Sequence, residues 1–256
     1  QTFKDFEVII VDDASTDKTP GIAKEKGARV ISHKSNMGAG AARKTGIRAA
    51  KGDVIIMTDA DGTYPNQDMP RLLGCFPEYD QVIGARQVEK GTMKWLRSPA
   101  KWFIRKIACF LTNTEIPDLN SGLKAFKRDL MLKYLYLVPD GFSCVSSMTL
   151  SFLTNGHSVK YIPIDYYKRI GKSKFHPIKD TYRYLLTVIR IIMYFNPLKI
   201  FLPLSLGIFG LGVLKLIISL IYTSSLQESD VIILVTSVLI ASIGMLADLI
   251  VVQGKR

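Results

Sequence analysis

Short apolar, partly β-branched runs recur along the first part of the chain, each bounded by charged residues, Gly or Pro: Phe6–Val11, Ala28–Ser32, Val54–Met57 and the stretch from Asp80 to Gly84. This pattern predicts buried strands. Between them lie segments with helical signals. Ser15, Thr16 and Asp17 stand ready to cap a helix around Pro20 that runs to about Lys26 and is closed by Gly27. A second helix is expected from the Gly-x-Gly at Gly38 and Gly40 to Ala50, and a third near Asn66 to Cys75. Strands alternating with helices predict an α/β domain, Rossmann-like, with a mostly parallel sheet, right-handed crossovers and helices on both faces.

Beyond this domain the period changes. Pro177 to Asn196 interleaves Lys179, Arg183 and Arg190 with Tyr182, Leu185, Leu186, Ile189, Ile192 and Met193, an amphipathic helix suited to lie on a bilayer. Ile200–Tyr222 and Val231–Val252 are almost wholly apolar, each near the ~20 residues that cross a bilayer core as helix. The polar link from Thr223 to Asp230 makes them a hairpin. The expected organisation is therefore a domain over residues 1–175, a juxtamembrane segment over 176–199 and a transmembrane hairpin over 200–252. Inside the hairpin Lys215 and Asp248 should differ in depth by about 15 Å, at ~1.5 Å per residue, so each is expected to reach toward its own nearer interface instead of pairing.

Composition changes this picture little, but charge orients it. An apolar share of 48% over 256 residues excludes disorder. The net charge of +12 gathers before the first span, at Lys160, Lys168, Arg169, Lys172, Lys174, Lys179, Arg183, Arg190 and Lys199, and returns after the second at Lys255 and Arg256. Anionic lipid headgroups account for that placement better than nucleic acid does, and the positive-inside rule puts both ends of the hairpin, and the large domain, in the cytoplasm. Cys75, Cys109 and Cys144 form no C-x-x-C pair, which suits a reducing compartment and argues against a zinc or disulfide framework. From Lys94 to Leu111, Trp95, Trp102, Phe103 and Ile104 alternate with Lys and Arg, which fits an interfacial helix or packing against the sheet.

Candidate chemistry centres on Asp59-Ala60-Asp61. An extended Asp-Ala-Asp puts both acids on one side, at the carboxyl edge of a parallel sheet where α/β folds bind ligands. That is a place for a divalent metal and a phosphate; the alternative is an acidic pair that only ends a strand on a solvated surface. A calcium loop does not fit, since Gly62 stands fourth instead of sixth and Pro70 replaces the twelfth-position Glu. Asp12 and Asp13 end another strand and could equally cap the following helix. The glycines of Asn36-Met37-Gly38-Ala39-Gly40 allow close backbone approach at the start of a helix.

Taken together, Val11-Asp12-Asp13-Ala14-Ser15, Asn36-x-Gly38-x-Gly40, Asp59-Ala60-Asp61, Asp118-Leu119-Asn120-Ser121-Gly122-Leu123-Lys124 and Arg169-Ile170-Gly171-Lys172-Ser173-Lys174, in that order, resemble the GT-A-fold inverting glycosyltransferases of family 2. The branch is that of dolichol-phosphate mannose synthase and the bacterial polyprenyl-phosphate sugar transferases. The resemblance runs from the first residue to about Lys174, and the hairpin also fits it. It implies a GDP- or UDP-sugar donor, with Asp12, Asp13, Asn36, Gly38 and Asp59 at the donor and Mg²⁺ or Mn²⁺ on Asp59 and Asp61. It implies a polyprenyl phosphate acceptor held by Ser121, Lys124, Arg169 and Ser173, with Asp61, Arg169, Lys172 and Lys174 at the reaction. Lys124 stands where the branch often has Arg. The family's usual first strand, with its Pro-x-Tyr-Asn-Glu-like turn, has no counterpart here, so the chain is expected to be a fragment lacking it.

The acceptor side discriminates further. Transfer to a hydroxyl needs a base, commonly an acid after a Gly-rich turn, yet Gly141 to Met148 carries no carboxylate. An acceptor that is already an anion needs cations instead, which Arg169, Lys172, Lys174 and Lys124 supply. Asp118 and Asp140 remain available as bases. The expected activity is inverting, metal-dependent sugar transfer to polyprenyl (dolichyl or undecaprenyl) phosphate at the cytoplasmic face. The alternatives are a hydroxyl or lipid-linked glycan acceptor, or a silent membrane scaffold. A processive polysaccharide synthase is not expected, since two spans make no channel and there is no Gln-x-x-Arg-Trp motif. The expected partners are the sugar nucleotide, the lipid phosphate and the bilayer, without nucleic acid, and the hairpin offers a surface for homo-oligomerisation.

Overall fold

A computed structural model describes residues 3, 5–87, 102, 105–110, 112–141, 143–167 and 177–253. Most of the 94–111 segment, and Arg169, Lys172, Ser173 and Lys174, lie outside the described residues, apart from 102 and 105–110, where the latter are helical. The chain divides into two compact units, residues 1–188 and 189–256.

In the first unit, β1 (Ile9–Asp12) pairs in parallel with β2 (Arg29–Ser32), Asp12 opposite Ser32. The connecting helix α1 (Thr19–Glu25) has Pro20 in its first turn, and Gly27 closes it at a φ of +82°. Asp17 accepts the Thr19 N–H at its start. Neither Asp12 nor Asp13 caps this helix, so their carboxylates serve elsewhere. Helix α2 (Ala39–Ala49) covers β1 closely, and Gly46 leaves room for Val11, whose Cγ2 would lie 3.3 Å from an added Cβ.

A second sheet has the order β3 (Val54–Met57), β5 (Lys124–Lys127), β4 (Gln81–Arg86), β6 (Val159–Ile164). β3, β4 and β6 run one way and β5 runs against them, pairing antiparallel with both β3 and β4. The sheet is thus mixed. The reversed strand gives no apolar run to read, because Lys124-Ala125-Phe126-Lys127 has a lysine at each end. Between β3 and β4 a short 3₁₀ turn (Asn66–Asp68) precedes α3 (Met69–Leu73), which is shorter than the pattern suggests.

β5 also shows how the core is divided. Phe126 faces a cluster with Ile47 of α2, Met131 of α4 (Arg128–Tyr134), and Cys144, Met148 and Phe152 of α5 (Cys144–Thr154). Its neighbour Ala125 belongs to another cluster, with Tyr64, Leu72, Val82, Leu123, Ile162 and Ile164. Alternating side chains of one strand thus feed two apolar layers, and each large residue so buried contributes roughly 1.5–3 kcal/mol. Helix α6 (Pro177–Phe195) then leads toward the second unit.

The second unit holds α7 (Leu198–Thr223) and α8 (Glu228–Gln253), each 26 residues with a mean hydropathy of 2.3, long and apolar enough to cross a membrane. Their shared seam is small and polar. Ser205, Gly212 and Ser219 are the buried residues of α7, and Asp230, Ser237 and Gly244 those of α8. Both sets recur every seventh residue, the spacing of a left-handed helix pair. A Cβ on Gly244 would meet Phe201 Cβ at 2.5 Å, so the glycine is what lets the helices approach. Lys215 does not simply reach for an interface: its ammonium donates to Asp230 Oδ1 at 2.7 Å and to the Ser229 hydroxyl. The partner escaped the sequence because Asp230 reads as part of the link, whereas it lies in the first turn of α8.

Candidate active site

β3 stops at Met57, and Ala60 and Asp61 lie in a turn instead of continuing the strand. The two acids are therefore held separately. Asp59 Oδ1 accepts Arg43 Nη2 at 2.6 Å, and the other arm of that guanidinium donates to Cys144 Sγ at 2.8 Å. Asp61 Oδ1 accepts the Thr63 hydroxyl at 2.5 Å and the Thr63 N–H at 3.2 Å, an Asx turn that folds the loop back on itself. Asp59 Oδ2 faces Gly122, where an added Cβ would stand 2.7 Å away. Gly122 also donates its N–H to the Tyr64 hydroxyl at 2.6 Å, and burial pushes the Tyr64 phenol up to about 12, so it stays a neutral acceptor.

Oxygen is the only donor atom these two acids offer, which suits Mg²⁺ or Mn²⁺. Among the described residues no group of three or more His, Cys, Asp or Glu side chains gathers to make an all-protein cage. A site of one or two carboxylates completed by phosphate oxygens and water is the habit of Mg²⁺. The residues present fit such an ion, with Asp59 shared between it and Arg43.

The other expected donor residues fall into two places: Asp12 holds its own loop, and Asp13 holds the Asn36–Gly38 turn. Asp12 is buried at the end of β1 and accepts the Ser15 N–H at 3.1 Å; the Ser15 hydroxyl first, then that N–H and the Ser32 hydroxyl, hold its carboxyl below the usual range. Asp13 accepts the N–H groups of Met37 and Gly38, both at 2.8 Å, and so binds the Asn36–Gly38 turn. The glycines of that turn do permit a close approach, but the partner is protein. A Cβ on Gly40 would lie 2.0 Å from the Pro139 carbonyl oxygen, and Gly40 N–H donates to the Asp140 carbonyl at 2.7 Å. The 139–140 backbone thus occupies the start of α2.

Two expected acceptor residues need correction. Lys124 is fully buried, its ammonium donating to the Val145 carbonyl at 2.5 Å and to the Thr149 hydroxyl, and burial brings it down to about 7. Ser121 is likewise fully buried, its hydroxyl directed at the Leu123 carbonyl at 3.5 Å. Lys124 turns its side chain from β5 toward α5, and Ser121 lies buried in the loop before that strand, so they brace the site instead of facing an acceptor. Of the candidate bases, Asp118 is clamped by Arg86 through Nε at 2.7 Å and Nη2 at 2.9 Å. Burial pushes its carboxyl up, but the Arg86 contacts outweigh that and leave it below the ordinary range, a poor base. Asp140 pairs with Lys44 at 2.5 Å while staying largely exposed.

Arg43, Tyr64 and Arg86 were not singled out by the sequence. Arg43 stands one turn into the helix that follows the Gly-x-Gly, a position whose direction is set only by packing.

The sequence profile described as Glycosyl transferase family 2 matches residues 1–135. The chain belongs to that family. Residues 196–252, the apolar helix pair, match a second profile described as the GtrB C-terminal hairpin. A dolichyl-phosphate hexose transferase of Haloferax volcanii is 30% identical over 67% of this chain and 74% of its own length. An undecaprenyl-phosphate mannosyltransferase of Micrococcus luteus is 29% identical over 66% of this chain and 75% of its own. The chain spans between 39% and 75% of the lengths of the relatives it matches. Among solved structures, glucosyl-3-phosphoglycerate synthase from Mycobacterium tuberculosis, in complex with Mn²⁺, UDP-glucose and phosphoglyceric acid, superposes with a TM-score of 0.55 at 18% identity. That match covers 72% of this chain and 68% of the other. The fold is therefore GT-A, and this family 2 chain is a glycosyltransferase.

Proposed function

We propose that this glycosyltransferase moves a sugar, with inversion, from a nucleotide donor to a polyprenyl phosphate at the cytoplasmic face of a membrane. The observation that carries the reading is one chain joining the Asp59–Asp61 loop to a hairpin of two membrane-length helices. The names of the two relatives above, both transferases to a lipid phosphate, support the acceptor class.

In this reading a phosphate oxygen of the acceptor attacks the anomeric carbon from the face opposite the donor diphosphate. The carbon–oxygen bond to that diphosphate breaks, and a nucleoside diphosphate departs. A phosphate nucleophile is already ionised, so no proton has to be removed at the attacking atom. The first turn of α5 carries no acidic residue, which agrees with that requirement. A bound Mg²⁺ or Mn²⁺ on Asp59 and Asp61 would supply Lewis-acid neutralisation of the leaving diphosphate. Arg43 holds Asp59 in orientation at 2.6 Å and adds positive charge on the same side. Arg169, Lys172, Ser173 and Lys174, by their place in the sequence, are proposed to receive the acceptor phosphate.

The test is transfer from a panel of GDP- and UDP-sugars to polyprenyl phosphate and, in parallel, to the free polyprenol. The expected product is a sugar phosphodiester lipid formed only from the phosphate. Transfer to the alcohol alone would refute the acceptor assignment.

A further inference from the structure

Resting on the donor reading above, one connected group of side chains goes beyond it. Asp13 applies its carboxylate to the protein itself. Oδ1 meets His33 Nδ1 at 2.7 Å and the Met37 N–H at 2.8 Å, and Oδ2 accepts the Gly38 N–H at 2.8 Å. Three of the roughly four lone-pair positions of a carboxylate are thereby filled. Burial pushes the Asp13 carboxyl up, but the Met37 N–H, the His33 ring and the Gly38 N–H outweigh it and keep the group ionised.

His33, directly after β2, is itself held at both ends. Its side chain is only 9% exposed, and Nε2 lies 2.9 Å from the Thr45 hydroxyl of α2. Since an ionised Asp13 can only accept, Nδ1 carries the ring proton and, in the neutral ring, Nε2 accepts from Thr45. The ring thus bridges the end of β1 to a point on α2 two residues beyond Arg43, the residue that grips Asp59.

We propose that His33 is a positioning residue for the donor. Through Asp13 it fixes the Asn36–Gly38 turn, and through Thr45 it sets α2 so that Arg43 meets Asp59. Asp13 is then a holder of the turn, and nucleotide contact falls to the turn and its neighbours.

The test compares His33→Phe with His33→Asn in the full-length protein. Asn can place an N–H near the position of Nδ1 and so keep the bond to Asp13, whereas Phe cannot. Steady-state transfer should show the donor KM raised about tenfold in His33→Phe, the order of one hydrogen bond to a charged group, with the acceptor KM unchanged. His33→Asn should restore most of the donor KM. Hydrogen exchange should show the Met37 and Gly38 amides losing protection in His33→Phe and keeping it in His33→Asn. A donor KM within twofold of wild type in His33→Phe, equal losses in both variants, or unchanged protection of the two amides would each overturn the proposal. Should wild type transfer from no sugar nucleotide, the donor reading fails by itself, and amide protection alone then decides the role of His33 in holding the turn.

Discussion

Lys124 gives a quantitative test of how the site is braced. It is fully buried, and burial lowers its ammonium from 10.5 to about 7. Near and above pH 7 the unfolded chain therefore binds a proton that the folded chain gives up, and stability must rise with pH. The sign follows from linkage: the contribution is complete above the unfolded value of 10.5 and is lost as pH falls through the folded value of about 7. Each unit of difference is worth about 1.36 kcal/mol, so the full span is on the order of 5 kcal/mol, and the part between pH 7.5 and 9.5 is roughly 2 to 3 kcal/mol. For a domain of this size that is a rise in melting temperature of roughly 5 to 10 °C. Lys124→Met removes the group and orphans little, since the Thr149 hydroxyl also bonds the Val145 carbonyl, at 3.3 Å. The variant's melting temperature in detergent, followed by intrinsic fluorescence, should rise by several degrees less over the same interval. Parallel pH curves for wild type and Lys124→Met would refute the assignment of a buried, titrating lysine.

Gly122→Ala puts a Cβ 2.7 Å from Asp59 Oδ2 and 3.1 Å from Tyr64 Cε2. It should cut transfer about 100-fold by displacing the carboxylate, at a stability cost of about 1 kcal/mol; transfer near wild-type rate with normal metal dependence would refute it. Gly40→Ala meets the Pro139 carbonyl at 2.0 Å, backbone against backbone. It should destabilise the domain by about 3 kcal/mol, read as a lower melting temperature. In the hairpin, Lys215→Met takes the cation from Asp230 and leaves it only the Ser219 hydroxyl and the Gln227 N–H, so the helix pair should be less resistant to unfolding. The double variant Lys215→Met/Asp230→Asn should recover part of that, as measured by resistance to unfolding in SDS.

The sequence made the hairpin, the first strands and helices and the acidic loop legible, because each rests on local signals: long apolar runs, β-branched runs, Gly and Pro. What escaped it is non-local. Lys124 reads as a cation near an acceptor, yet its strand turns out to lie between β3 and β4 with this lysine on the face covered by α5, where its ammonium meets the Val145 carbonyl. The glycines at 38 and 40 read as a place of close backbone approach, but not for which partner: it is the 139–140 backbone, a hundred residues away in the chain. Arg43 and Asp59 are partners only after α2 and the loop following β3 are brought together. Asp118 keeps its acidic character but is consumed by Arg86, a pairing across 32 positions that no motif announces.

In the proposed reaction Asp59 and Asp61 form the metal-dependent donor half of a transferase acting on a lipid phosphate. Its most direct test is single-turnover transfer to polyprenyl phosphate by wild type and Asp61→Ala across a Mn²⁺ titration. The account predicts that wild type forms the sugar phosphodiester lipid only when metal is present, and that Asp61→Ala falls at least about 100-fold, the order lost when a key electrostatic contact to the leaving group is removed. Transfer by Asp61→Ala at the wild-type rate, or wild-type transfer indifferent to the metal, would contradict it.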